Sequence, residues 1–204
     1  MTKTVDKDPY LANKTKSRQI FEFLWDLVKV ICISLAIIIP VRYFLIQPFY
    51  VKGASMEPNL QDHEYLIINE VGYRLDDPQR GDVVVFKYPL DQSQFFIKRI
   101  IGLPGEKIEI KDGMVYLYAE DETGNARKYV LDETDYLDPS VKTHGIKTYS
   151  LGNDEYFMLG DNRSQSLDSR SFGPVYEDLI MGKVWFRGWP FSKFDIFDQI
   201  DYGF

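Results

Sequence analysis

Residues 27–46 form one apolar run whose only charged members are Lys29 and Arg42, and residues 30–41 carry no charge at all. A bilayer core about 30 Å thick takes about 20 helical residues to cross, and this run supplies them. A cleavable leader is a poor reading, because no Ala-x-Ala site follows and Gln47-Pro48-Phe49-Tyr50 suits cleavage badly. The sequence therefore predicts a transmembrane helix over 20–46, its two cations snorkelling to the headgroups. Pro40 is expected to kink or end it. Lys3, Lys7, Lys14, Lys16 and Arg18 precede the run, and the positive-inside rule keeps such an N-terminus in the cytoplasm. Residues 1–19 read as a disordered cytoplasmic tail. Residues 47–204 read as one extracytoplasmic domain of a single-pass plasma-membrane protein.

The charge balance narrows the partners. With 24 basic and 31 acidic residues the formal net charge is −7, whereas a nucleic-acid binder shows a basic stripe. Cys32 is the only cysteine and lies inside the apolar run, so no intrachain disulfide forms.

From Tyr50 onward the pattern is mostly β, and the fold class expected is an antiparallel-sheet domain. Strands are predicted over 64–68, 82–86, 95–101, 106–110, 114–117, 156–159 and 182–186. Asp112-Gly113 reads as the turn of a hairpin, and Gly102-Leu103-Pro104-Gly105 as a turn closing a strand. A short helix is expected at 175–180. Residues 119–150 are rich in acids, Thr and Gly and read as a solvated excursion from the core, a hairpin or a surface loop. The aromatic run Trp185-Phe186-Arg187-Gly188-Trp189-Pro190-Phe191 is expected to pack in the core, with an interfacial belt as the alternative.

Two residues carry the candidate chemistry. Ser55 sits in the turn-forming run Gly53-Ala54-Ser55-Met56-Glu57-Pro58. A hydroxyl is a weak nucleophile until a base takes its proton. Lys98 sits on an apolar strand, where alternate residues share a face, beside Phe96 and Ile100. Dry surroundings lower a lysine pKa and let a neutral amine act as that base. Together the two point to a serine–lysine hydrolase. The loop Gly160-Asp161-Asn162-Arg163-Ser164-Gln165-Ser166-Leu167-Asp168-Ser169-Arg170 holds polar groups that can brace it by charge-assisted pairing, Asp161 with Arg163 and Asp168 with Arg170.

Other chemistries fit worse. His63 and His144 lie in polar turns without evident partners, which disfavours a Ser-His-Asp triad. Closely spaced His or Cys ligands for zinc are missing, as are the calcium-loop and phosphate-loop patterns. No lysine stands three places after Ser55, which excludes the Ser-x-x-Lys arrangement.

Taken jointly and in this order, the apolar run, Gly53–Leu60, Arg80–Pro89, Phe95–Glu106 and Gly160–Val175 resemble the bacterial type I signal peptidase family, its Gram-positive branch in particular. The resemblance implies that Ser55 is the nucleophile and Lys98 the general base. It implies that the Ser166 hydroxyl bonds and orients that lysine, with Asp168, Arg170, Asp161, Arg163 and Arg99 in support. It further implies cleavage of preprotein signal peptides after small residues at the outer membrane face, without metal, cofactor or nucleic acid. Where some members carry a serine that helps hold the oxyanion, this chain has Gly53, so backbone N–H groups must serve. The substrate is expected to add as a strand, touching Gly53, Met56 and Phe96. Two other readings remain: a non-catalytic membrane-tethered relative that binds peptides, and a self-cleaving repressor-like protein.

Overall fold

The computed structural model describes residues 9–44, 47–69, 72–74, 76–120, 126–197, 200 and 202. Its chain divides into two units, 1–44 and 45–204.

The first unit is one helix, α1 (Pro9–Phe44). It begins ahead of residue 20, so residues 9–19, expected to be disordered, are helical, while 1–8 lie outside the described residues. Lys, Arg, Gln and Leu in that stretch are good helix formers, and Arg18–Glu22 adds an i,i+4 ion pair. The helix also continues past Pro40. Apolar side chains from Ile20 to Ile39 are exposed on all sides of it. Among the described residues, no helix is long and apolar enough to cross a membrane. The described side chains stop at residue 39 and include Glu22, Asp26 and Lys29; residues 40–46, which complete the expected span, lie outside them.

The second unit is built of antiparallel strands. In chain order these are β1 (Gln47–Tyr50), β2 (Tyr65–Asn69), β3 (Val83–Tyr88), β4 (Asp91–Gly102), β5 (Lys107–Lys111) and β6 (Met114–Glu120). There follow β7 (Ala126–Val130), β8 (Lys147–Ser150), β9 (Glu155–Leu159), β10 (Val175–Tyr176), β11 (Ile180–Trp189) and β12 (Asp195–Ile196). The larger sheet runs β1-β2-β11-β3-β4-β9-β10, with β12 paired to β11, and the smaller runs β7-β6-β5-β8.

Packing explains the sequence pattern. On β3, Val83 and Val85 join the core of Met56, Leu60, Leu66, Ile68 and Val184. Val84 and Phe86 point to the other face, into the core of Ile100, Tyr156, Met158 and Val175. A strand covered on both faces reads as a continuous apolar run, not an alternating one. On β5, Ile108 and Ile110 are buried between exposed Lys107 and Lys111, the alternation of a strand covered on one side. The β5–β6 hairpin turns at Asp112 (φ 54°) and Gly113 (φ 81°), a pair of positive φ values that Asp-Gly adopts readily.

Three expectations are corrected. Residues 119–150 are not a plain excursion: β7 and β8 flank the smaller sheet, and Leu131, Tyr136, Leu137 and Tyr149 are buried. Those apolar residues are too scattered to show a period. Residues 175–180 form β10 and a 3₁₀ turn at Glu177–Leu179, not a helix, because Val175 pairs with Tyr156 on β9. Among the described residues of this unit the one α-helical turn lies earlier, at α2 (Ser169–Phe172), capped by Asp168. Finally, Trp185, Trp189 and Phe191 are 50%, 51% and 76% exposed rather than in the core. Register shifts on β11 put Gly182, Val184 and Arg187 inward instead.

Candidate active site

Ser55 lies on the turn that follows β1. Gly53 takes φ 97°, a value that glycine alone adopts without strain, and its N–H donates to Asp62 Oδ1 at 2.9 Å. One residue past Ser55, Met56 is buried in the core and so pins the turn from below. Asn162 holds it from the side: its backbone N–H donates to the Ser55 carbonyl at 3.1 Å and its Nδ2 to the Ala54 carbonyl at 3.0 Å. No local signal in the sequence marks Asn162 for this task.

Lys98 comes from β4, opposite Val84 on β3. It is 3% exposed. Its Nζ lies 2.8 Å from Ser55 Oγ and donates to the Ile97 carbonyl at 2.8 Å. The Phe96 ring is 5.2 Å away and is itself stacked on Tyr88, so one wall of the site is apolar and rigid. Burial pushes the Lys98 pKa down to about 8, while Asp168 and Asp161 pull against that. The aspartates keep the amine from falling further, and it titrates within reach of neutral pH.

The supporting polar residues form three ion pairs, of which only one is a pairing the sequence suggested. Asp168 does pair with Arg170, at 2.8 and 2.7 Å, and also accepts from the Gly160 N–H at 3.1 Å. Asp161, however, pairs with Arg99, at 2.9 and 2.7 Å, and Arg163 pairs with Glu133 from the segment read as an excursion. A buried guanidinium takes the carboxylate that reaches it bidentately, and sequence nearness does not decide which one that is.

Ser166 Oγ is buried and makes no hydrogen bond, so the bond expected between it and Lys98 is not formed in this structure. Gly160 lies against it. A Cβ on Gly160 would overlap Ser166 Oγ and the Ser55 carbonyl oxygen and lie 2.6 Å from Ser166 Cβ. The loop therefore closes on the Ser55 turn only because residue 160 has no side chain.

Ser55 and Lys98 open into a groove of about 570 Å³ between Phe49–Met56 on one side and Gln94–Lys98 on the other, with Gln165 and Leu167 at its rim. Gly53, Met56 and Phe96 all line it. β9 pairs with β4 only at Arg99, Ile100 and Gly102, so the groove-lining half of β4 has β3 on one edge and the groove on the other. His63 meets Tyr50 and Asp62 on the exposed surface. Among the described residues, no three His, Cys, Asp or Glu side chains converge as metal ligands.

Comparison with known proteins places these residues in context. The family described as signal peptidase, peptidase S26, matches residues 24–189. A signal peptidase IB of Staphylococcus aureus (strain COL) is 36% identical over 171 residues, 80% of this chain and 88% of the relative. A probable signal peptidase I-2 of Synechocystis sp. is 36% identical over 174 residues, 82% of this chain and 74% of that protein. A solved signal peptidase I from Enterococcus faecalis V583 is 28% identical, with a TM-score of 0.40 over 53% of this chain and 97% of its own.

Proposed function

The chain belongs to the S26 signal peptidase family and so removes signal peptides from preproteins, and we propose that it does this by attack of Ser55 Oγ on the scissile carbonyl. Neutral Lys98 takes the hydroxyl proton as the Oγ–carbon bond forms. It returns that proton to the leaving amine as the peptide bond breaks. The Lys98 amine then takes a proton from a water whose oxygen attacks the ester carbonyl, and gives it to Ser55 Oγ as the ester carbon–oxygen bond breaks, which regenerates both groups. The observation that carries this reading is the 2.8 Å approach of a buried amine to the hydroxyl.

The oxyanion is held by backbone N–H groups at the turn, that of Ser55 first among them. Gly53 is no donor here, since its N–H is committed to Asp62. Asp168, Arg170, Asp161 and Arg99 brace the 160–170 loop against the Ser55 turn and the strand that carries Lys98. Ser166 Oγ, buried against Gly160 and without a hydrogen bond, orients the amine only once the two come into hydrogen-bond reach during the reaction.

The substrate enters the groove extended and adds to the unpaired edge of β4, its main chain setting the register. Alternate side chains then point at the floor made by Met56, Phe96 and Ile97. Such a lining takes small residues at alternate positions, the Ala-x-Ala pattern.

The apolar run anchors the chain as a single-pass plasma-membrane helix with the N-terminus cytoplasmic, and the β domain lies outside. The exposed Trp185, Trp189 and Phe191 rest that domain on the lipid surface, since such rings favour the interface. Changing all three to serine in full-length protein is expected to slow cleavage of a vesicle-inserted preprotein about tenfold. Cleavage of a soluble peptide in detergent should not change. Equal loss in both assays would mean that the rings serve the fold instead.

The test of the function itself is cleavage of a preprotein with an Ala-x-Ala site by the detergent-solubilised full chain. Wild type should release the mature protein, and Ser55→Ala should not. Undiminished cleavage by Ser55→Ala removes Ser55 from the mechanism; a wild type that binds preprotein without cutting it favours the non-catalytic relative.

A further inference from the structure

The buried ion network does not end at residues 160–170. Arg163, whose side chain is 1% exposed, turns its terminal nitrogens out of that loop. They donate to both carboxylate oxygens of Glu133 and to Thr143 Oγ1. The remaining nitrogen, Nε, donates back to the Gly160 carbonyl at 3.1 Å. Gly160 is the residue whose amide bonds Asp168 and whose Cα lies against Ser166 Oγ and the Ser55 carbonyl.

Tyr136 stands in the same turn, closed by its own N–H and that of Leu137 onto the Glu133 carbonyl. Its hydroxyl donates to Glu133 Oε1 at 2.7 Å, and the Arg99 guanidinium sits 4.0 Å from its ring centroid. Its carbonyl accepts from Asn59 Nδ2 at 2.8 Å, an amide that also donates to Asp161. One turn thus touches both Arg163, behind the nucleophile loop, and Arg99, the residue next to Lys98.

We propose that Glu133, with Tyr136, is a positioning residue for the cleavage reaction. It fixes Arg163, and through the Gly160 carbonyl it holds Ser166 and the Ser55 turn at the spacing that the dyad needs. This rests on the reading of Ser55 and Lys98 as the reacting pair. A buried guanidinium that loses its carboxylate seeks another, and the second anion acting on Arg163 is Asp161. Arg163 then competes with Arg99 for Asp161, and the strand carrying Lys98 shifts with Arg99. Glu133 does not line the substrate groove, so the effect falls on turnover rather than on substrate binding.

The experiment uses full-length protein in detergent and a preprotein substrate. Glu133→Gln keeps the shape and removes the charge. It is expected to lower kcat at least tenfold with KM within threefold of wild type, and Glu133→Asp is expected to recover more than half of the lost activity. A Gln variant with wild-type kcat, a loss carried by KM alone, or an Asp variant no better than Gln overturns the proposal. Should Glu133→Gln lose its thermal transition, Tyr136→Phe carries the test, since it removes one hydroxyl and leaves the ion pair. A kcat about threefold lower at constant KM then supports the role, and a wild-type kcat overturns it. Ser55→Ala is assayed alongside. If it is inactive while Glu133→Gln is normal, only the positioning role fails; if it is active, the dyad reading fails.

Discussion

Lys98→Met is expected to abolish cleavage, lowering kcat by at least about 10³-fold, while making the folded protein more stable. Methionine is long and apolar, so it fills the same space against Phe96 and Ile100 without a base. A positioned general base alone contributes about 10²–10⁴-fold, and among the described residues Lys98 is the base bonded to the Ser55 hydroxyl. The gain in stability follows from the pKa. Lys98 is held at about 8 against an ordinary 10.5, which corresponds to roughly 3 kcal/mol at 1.36 kcal/mol per unit. Between those two values the unfolded chain binds the proton and the folded one does not. Wild-type stability therefore rises with pH from about 8 to 10.5 and carries the full cost below 8. Methionine removes the cost, so at pH 7 the variant should unfold at higher urea by up to about 3 kcal/mol. Urea melts of the two proteins at pH 7 and pH 10.5 check this: the gap should be wide at pH 7 and narrow at pH 10.5. A variant that is both inactive and unstable would mean that Lys98 is a structural cation.

Gly160→Ala is expected to be nearly as damaging to rate, for a different reason. The backbone at 160 is one that alanine adopts; only space forbids it. The new methyl meets Ser166 Oγ and the Ser55 carbonyl oxygen, one a side chain that can turn and the other backbone that cannot. Overpacking of this kind costs about 1–3 kcal/mol of stability. The catalytic loss is larger in proportion, because a displacement of about 1 Å from productive geometry can cost 10²-fold in rate. A protein that still melts cooperatively but turns over at least about 10²-fold more slowly, with KM little altered, is the expected outcome. Gly173→Ala gives the contrast. No neighbour meets its Cβ, but its φ is 90°, so it should lose stability through backbone strain and keep its rate. Wild-type kcat in Gly160→Ala would show that the loop tolerates a gap between Gly160 and the nucleophile turn.

Legibility followed the physics of each element. Strands with one covered face or a sharp turn are readable: Ile108 and Ile110 alternate with charged residues, and Asp112-Gly113 allows little but a hairpin. The doubly covered β3 is readable as a strand from its valines, though not which sheet face each one serves. The Ser55 turn and the Lys98 strand could be named as chemistry-bearing, but their meeting at 2.8 Å depends on strand order across the larger sheet, which no local pattern encodes. The same holds for the ion pairs. Arg163 looks to Asp161 along the chain, and in space it finds Glu133, thirty positions away. Tyr136 and Leu137 are one apolar pair among acids, so a segment that packs against the buried ion pairs looks like a solvated insertion. Trp185 and Trp189 misled in the opposite sense: aromatic rings suggest a core, and these lie exposed on a strand whose glycine and arginine face inward.

The decisive measurement is the titration of the Lys98 ε-amine itself. It is followed by the ¹³Cε resonance of lysine-labelled full-length protein in detergent and assigned by its loss in Lys98→Met. The midpoint is expected near 8, and kcat for preprotein cleavage should rise through the same midpoint, with about one amine in ten neutral at pH 7. A midpoint near the ordinary 10.5, or a kcat that does not change as the amine loses its proton, would contradict the proposal that Lys98 is the base that activates Ser55.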